Sequence, residues 1–154
     1  NLRTHVLEIV ATLGPVAREL TDDVVALVGA RDSAAYAVRA LGKIADRSVW
    51  PTLEAVLLRP VRKASDYELQ KAAMVAAARI GEDKVRAYAA RALADESQPP
   101  DLRVAAAFVE GSFGDPAGVG FLQTTLAAGS YHAPTLRELL DELGEPYEAP
   151  GEGG

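Results

Sequence analysis

The sequence predicts an all-α protein: an α-solenoid of about four helical-hairpin repeats followed by a C-terminal helix. Three observations predict it. A short phrase recurs along the chain, as Ala11-Thr12-Leu13-Gly14-Pro15, Ala40-Leu41-Gly42-Lys43-Ile44-Ala45-Asp46, Ala78-Arg79-Ile80-Gly81-Glu82-Asp83 and Gly111-Ser112-Phe113-Gly114-Asp115-Pro116. Its apolar anchors Leu13, Ile44, Ile80 and Phe113 are 31, 36 and 33 residues apart, a period that marks stacked repeats. The composition is 49% hydrophobic but only 6% aromatic. Ala and Leu favour helices, whereas a sheet would draw on more aromatic and β-branched residues. Finally, the second halves of the repeats share a register: Leu57, Leu93 and Leu126 stand 13 residues after their anchors, and Leu53, Ala89 and Leu122 stand nine after. The first repeat follows with a slip of one, Leu27 standing 14 after Leu13.

The helices are expected over 2–13, 15–28, 32–44, 48–58, 65–80, 82–94, 100–112, 116–128 and 133–143. The first begins in mid-repeat and ends at the Gly14-Pro15 corner; the second carries Leu27. The third ends at Ala45-Asp46, and the fourth opens near Trp50-Pro51. Leu58-Arg59-Pro60-Val61-Arg62-Lys63 lengthens the next link. Ser65 and Asp66 are plausible N-caps of the fifth helix, along which Leu69, Ala72, Ala73, Ala76, Ala77 and Ile80 recur on one face. Gly81 can take the left-handed conformation that ends a helix. Glu82 and Asp83 then open the sixth helix at its positive dipole end. Asp95-Glu96-Ser97-Gln98-Pro99-Pro100 is a breaker loop, because proline cannot continue a helix. Gly118 and Gly120 lie inside the 116–128 helix and cost about 1 kcal/mol each relative to Ala, so that helix is expected to be short, kinked or late-starting. Residues 1–144 read as the repeat domain and 145–154, with two prolines and three glycines, as a flexible acidic tail.

The runs Leu102-Arg103-Val104-Ala105-Ala106-Ala107 with Gly111 to Pro116, and Ala40-Leu41-Gly42-Lys43-Ile44-Ala45-Asp46 with Pro51-Thr52-Leu53, resemble bacterial HEAT-like repeats of the phycobilisome-lyase type. The resemblance spans roughly residues 2–128. It implies a right-handed α-solenoid whose usual work is binding other proteins. Tetratricopeptide and armadillo architectures overlap in period and stay open, although the Trp-Leu-Gly-Tyr signature of the former is absent. In the family an Arg near the start of each first helix tends to support the corner between repeats. Only Arg3 and Arg103 keep it; Ala34 and Gln70 replace it, so the two middle junctions need other glue.

The chain offers little for catalysis. It has no cysteine and only two histidines, His5 and His132, some 127 residues apart, which read as surface or capping residues. The carboxylate pairs Asp22-Asp23, Glu82-Asp83, Asp95-Glu96 and Asp141-Glu142 are adjacent in sequence, and neighbours on a helix do not face each other. No metal-ligand spacing or phosphate-loop pattern is present. The expected protein is therefore not an enzyme and takes no cofactor or metal. No apolar run approaches the roughly 20 residues that cross a bilayer, and no secretory pattern opens the chain, so a cytoplasmic location is expected.

All 16 Lys and Arg lie within residues 1–137 together with 16 acids, and the net charge of −6 comes from Glu138, Asp141, Glu142, Glu145, Glu148 and Glu152. A neutral body with an acidic end is a poor partner for nucleic acid, whose affinity comes largely from neutralised phosphates. The expected partner is another protein. On the first helices, 2–13, 33–44, 69–80 and 102–113, helical spacing turns Arg39, Lys43, Lys71, Met74, Val75, Arg79 and Glu110 outward as a mildly basic ladder for an acidic or amphipathic segment. Arg59, Arg62 and Lys63 form a secondary basic patch. Tyr36, Phe108 and Trp50 are expected in the core.

Competing roles remain. A lyase-like or accessory subunit of an enzyme system would need a chromophore cleft, for which no residues can be assigned. A repeat domain supporting a larger enzyme fits the mid-repeat start at Asn1, which reads either as the edge of a fragment or as a face whose neighbour is a partner. HEAT-like DNA glycosylases use a strongly basic concave face, which a neutral body with one Trp does not supply.

Overall fold

The alternation of Ala-rich stretches with glycine and proline corners is realised as helices throughout. The computed structural model describes residues 1–148, and among the described residues there is no strand. The chain divides into two units, Asn1–Val85 and Arg86–Gly154.

The first unit holds α1 (Leu2–Leu13), a 3₁₀ segment (Gly14–Leu20), α2 (Thr21–Ala26), α3 (Ala34–Ile44), a 3₁₀ turn (Arg47–Val49), α4 (Trp50–Leu57), α5 (Ala64–Arg79) and a 3₁₀ turn (Asp83–Val85). Helix α3 lies between α1 and α5, while α2 packs on α3 and α4 on α5. The closeness of α3 and α5 follows from small side chains. A Cβ placed on Gly42 would sit 2.7 Å from the Ala76 Cα. Ala37, Val38, Ala40, Leu41, Ile44, Ala73, Ala76 and Ala77 are buried along this junction register.

The second unit holds α6 (Arg86–Ala94), α7 (Pro100–Ser112), α8 (Pro116–Ala128) and α9 (Ala133–Leu143). Helix α7 packs against α6, α8 and α9, and Leu102 through Glu110 are buried except Arg103. Leu122, Leu126, Leu136 and Leu140 complete this core.

Several expectations need correction. The helix expected over 15–28 is a 3₁₀ segment followed by a short α2. Gly14 ends α1 at φ 62°, and Gly14 and Ala17 are both buried. A spacing of three suits the three-residue turn of a 3₁₀ helix. Helix α5 starts at Ala64, and its cap is not Ser65. The Asp66 carboxylate reaches back to accept from the backbone N–H groups of Arg62 at 2.8 Å and Lys63 at 3.0 Å. The second helices of the middle repeats begin with 3₁₀ turns, so Glu82 and Asp83 stand before α6 rather than at its start.

Helix α8 runs unbroken from Pro116 to Ala128, despite its glycines. Gly118 permits contact: a Cβ there would lie 2.6 Å from the Gly111 nitrogen and overlap the Ala107 carbonyl oxygen. Of the anchors, Ile44 and Ile80 are buried and Phe113 is half-buried, but Leu13 is 49% exposed. Residues 145–148 are not a free tail. The Glu145 N–H donates to the Leu140 carbonyl at 3.0 Å, and Gln123 Nε2 donates to the Pro146 carbonyl at 2.8 Å. The rest of the expected tail, 149–154, lies outside the described residues.

Candidate functional site

The candidate strip rests on the register of the first helices. Counting back one, five and nine residues from Ile44 gives Lys43, Arg39 and Ala35 on α3. The same steps from Ile80 give Arg79, Val75 and Lys71 on α5. A spacing of four keeps each trio on one face, and α3 and α5 are packed together. Arg39 is exposed; Lys43, Lys71, Val75 and Arg79 are half-buried. The first unit thus carries four cations around one aliphatic side chain. Within the strip, Lys71 Nζ pairs with Glu68 Oε2 at 2.9 Å. This is an i,i+3 pair at the surface, an arrangement that stabilises by only about 0.2–0.5 kcal/mol.

Two members of the expected ladder do not belong to this surface. Met74 is buried, and so is Glu110, which lies in the second unit. Both stand at core positions: Leu7, Val38 and Ala107 share the register of Met74 and are buried, as are Val10, Leu41 and Ala77, which share that of Glu110. In the second unit the strip's own register is occupied by Val104 and Phe108, both buried, and by exposed Ser112. Tyr36, expected in the core, is 42% exposed. Phe108 and Trp50 are buried as expected.

No protein-family model, curated protein or solved structure matches the chain.

The secondary patch lies on the link between α4 and α5, where Arg59, Arg62 and Lys63 are all exposed. A shallow cleft brings Arg59 and Lys63 together with Arg31, Tyr36, Asp66 and Glu68. Its charges are mixed, which weakens any preference for anions. His5 is exposed with Nδ1 3.9 Å from Glu8, and exposed His132 contacts the Thr135 hydroxyl at 2.8 Å. Among the described residues no group of three or more His, Asp or Glu could hold a metal ion, and no helix is long and apolar enough to cross a membrane.

Spacing alone did not point to the polar bonds at the corners. Gln70 Nε2 donates to the carbonyls of Leu57 at 3.5 Å and Arg59 at 3.4 Å. Arg103 Nη2 donates to the Leu93 carbonyl at 3.0 Å. Gln70 and Arg103 share one register position, and Leu57 and Leu93 share another. Gln70 therefore does the work that the sequence reserves for arginine. A second set of arginines reaches forward to the next corner. Arg18 donates to the Ala45 carbonyl at 3.4 Å, and Arg47 to those of Ile80 at 3.0 Å and Gly81 at 2.7 Å. Arg86 donates to Glu110 at 3.3 Å and lies 5.7 Å from the Phe113 ring centroid. The carbonyls that Arg18 and Arg47 reach are ones that a helix end leaves without intrahelical partners, and cations suit that end of the dipole.

Proposed function

We propose that this chain is a non-enzymatic protein-interaction module, a right-handed α-solenoid of HEAT-like hairpins whose first-helix face grips an acidic segment of another protein. The observation that carries the reading is the strip of Arg39, Lys43, Lys71 and Arg79 around Val75. Cations spaced along two packed helices match a peptide with carboxylates on one side and an aliphatic anchor between them. The repeat architecture is supported by the register-matched corner bonds, Gln70 to Leu57 and Arg103 to Leu93. The forward-reaching arginines Arg18 and Arg47 support it too.

The test is a fluorescence titration with a synthetic amphipathic helix rich in Glu, beside a control of the same composition in which Lys replaces Glu. The acidic peptide is expected to bind at micromolar Kd, with affinity falling as salt rises. Lys71→Glu combined with Arg79→Glu should weaken it about tenfold or more, each lost charge pair at the surface amounting to up to ~1 kcal/mol and each reversal adding repulsion. Equal binding of the two peptides, or no response to charge reversal, overturns the reading.

A further inference from the structure

We propose that the occupant of the basic strip is helix α9 of a second copy of this chain, so that copies join head to tail. The inference rests on the reading of the strip as a docking face for an acidic helix, and it names the helix.

Helix α9 has the form that the strip calls for. Leu136 and Leu140 are buried, while Glu138, Asp141 and Glu142 are exposed. At about 100° per residue, the three acids centre on the side of the helix opposite the two leucines. Arg137, the one cation on α9, is half-buried and lies on the flank of this acidic face. Residues 1–137 carry equal numbers of cations and acids, and these three acids belong to the six that hold the whole net charge of −6. The helix is already folded against α7 and α8. Docking it therefore orders no chain, a cost that a flexible acidic peptide has to meet when it is gripped.

The spacings agree as well. Glu138 and Glu142 are four residues apart, as are Arg39 and Lys43 on α3, and a step of four advances either helix by about 6 Å. Lys43 and Arg79 share one register position on the packed pair α3 and α5. With α9 laid along that pair and parallel to it, Glu142 meets Lys43, Asp141 meets Arg79, and Glu138 falls one turn back on Arg39. Lys71 stands outside this set, and Glu68 pairs with it at 2.9 Å.

The strip belongs to the first unit and α9 to the second. The contact is therefore heterologous, and each copy offers both halves of it. Three charge pairs along one helix make a weak, salt-sensitive contact rather than a permanent one.

Sedimentation velocity of the whole chain over a concentration series tests this. Self-association with a Kd of about 50–500 μM is expected in about 50 mM salt, and its loss is expected in about 0.5 M salt. Arg39→Glu with Lys43→Glu, and separately Glu138→Lys with Glu142→Lys, should each weaken association at least tenfold with an unchanged helical circular-dichroism spectrum. Mixing the two variants should restore it, because the first keeps its α9 and the second keeps its strip. The α9 variant should also bind the synthetic acidic peptide with undiminished affinity. If the peptide binds and the chain stays monomeric at every concentration, the reading of the strip stands and this proposal falls; if neither associates, both fall. Association that persists in about 0.5 M salt, or a mixture no more associated than its parts, overturns the proposal too.

Discussion

The Arg47 guanidinium closes the end of α5 on the Gly81 carbonyl at 2.7 Å, 34 residues further along the chain. Its Nε holds the Ile80 carbonyl as well. Gly81 itself is at φ 77°, the left-handed conformation that turns the chain and leaves these carbonyls pointing outward. One residue thus joins two hairpins and satisfies a helix terminus. Both bonds are charge-assisted and the one to Ile80 is partly buried, so together they stabilise more than an exposed ion pair would.

Arg47→Met is therefore expected to lower stability by about 1–2 kcal/mol, since hydrogen bonds to charged groups are worth ~1.5–3 kcal/mol and this one is partly open to solvent. Gly81→Ala should be destabilising too. It forces a Cβ into a left-handed backbone and within 2.9 Å of Arg47 Nη2. Urea unfolding of the two variants and the double variant measures this. Their effects should be less than additive, because both act on the same corner.

Three glycine-to-alanine changes should separate packing from propensity. Alanine is favoured over glycine in a helix by about 1 kcal/mol. A Cβ added to Gly120 would have nothing within 4 Å, so Gly120→Ala should raise stability by about 0.5–1 kcal/mol. Gly42→Ala and Gly118→Ala meet backbone atoms of Ala76 and Gly111 instead, at 2.7 and 2.6 Å. Pushing two helices apart should destabilise each by about 1–3 kcal/mol despite the better propensity. Thermal denaturation midpoints give the signs directly.

Ala45 is the one non-glycine at positive φ among the described residues, at φ 61°. It occupies the C-cap of α3, where the third repeat has Gly81 and the fourth Gly114. A left-handed alanine is disfavoured by about 1–2 kcal/mol; glycine gives part of that back as extra freedom in the unfolded chain. Ala45→Gly should leave a net gain of about 0.5–1 kcal/mol, seen as a higher urea midpoint with an unchanged m-value.

The helix spans were legible because glycine and proline punctuate a strong apolar period: α7, α8 and α9 begin and end where the pattern does. The exposure of individual side chains was less so, and the reasons differ. Met74 and Glu110 were readable as buried, since every other residue in their registers is apolar and covered. Leu13 could not be read correctly from the phrase it shares with Ile44 and Ile80, because burial depends on a neighbour and, among the described residues, α1 has none on that face. The split of 15–28 into 3₁₀ and α-helix turns on a three-residue against a four-residue burial spacing, a difference that a coarse apolar period averages away. Five of the seven residues expected to face outward are exposed or half-buried, because the outward face of a helix follows from its geometry.

Acid should weaken the fold through three carboxylates. Asp46 is held below its ordinary range first by the Ser48 hydroxyl, Asp66 by the Arg62 N–H, and Asp95 by the Ser97 hydroxyl. A carboxylate whose folded value is depressed contributes stability that is complete above its unfolded value, near 4, and is lost as pH falls through the folded value. The urea midpoint should therefore be flat from neutral pH down to about pH 5 on account of these groups, then decline below about pH 4. The triple variant Asp46→Asn, Asp66→Asn, Asp95→Asn should start lower at neutral pH and decline less steeply. An equal decline in both proteins would locate the acid sensitivity elsewhere.

The buried Glu110 gives the sharpest test of the second unit's core. Its side chain is 8% exposed and that of Arg86, its partner, 44%. Oε2 accepts from Arg86 at 3.3 Å, while the buried Oε1 has no hydrogen-bond partner. A buried carboxylate that loses its cation leaves an uncompensated charge, which typically costs ~3–5 kcal/mol. Solvent reaches Arg86 and screens the pair, so Arg86→Ala should cost nearer ~2 kcal/mol, including the lost stack on Phe113. Glu110→Leu fills a register that Val10, Leu41 and Ala77 occupy elsewhere, and replacing buried ions by apolar groups is often neutral or stabilising. The double variant Arg86→Ala, Glu110→Leu is therefore expected to be more stable than Arg86→Ala alone. If the double variant is instead the less stable of the two, the pair holds α6 to α7 by more than charge compensation.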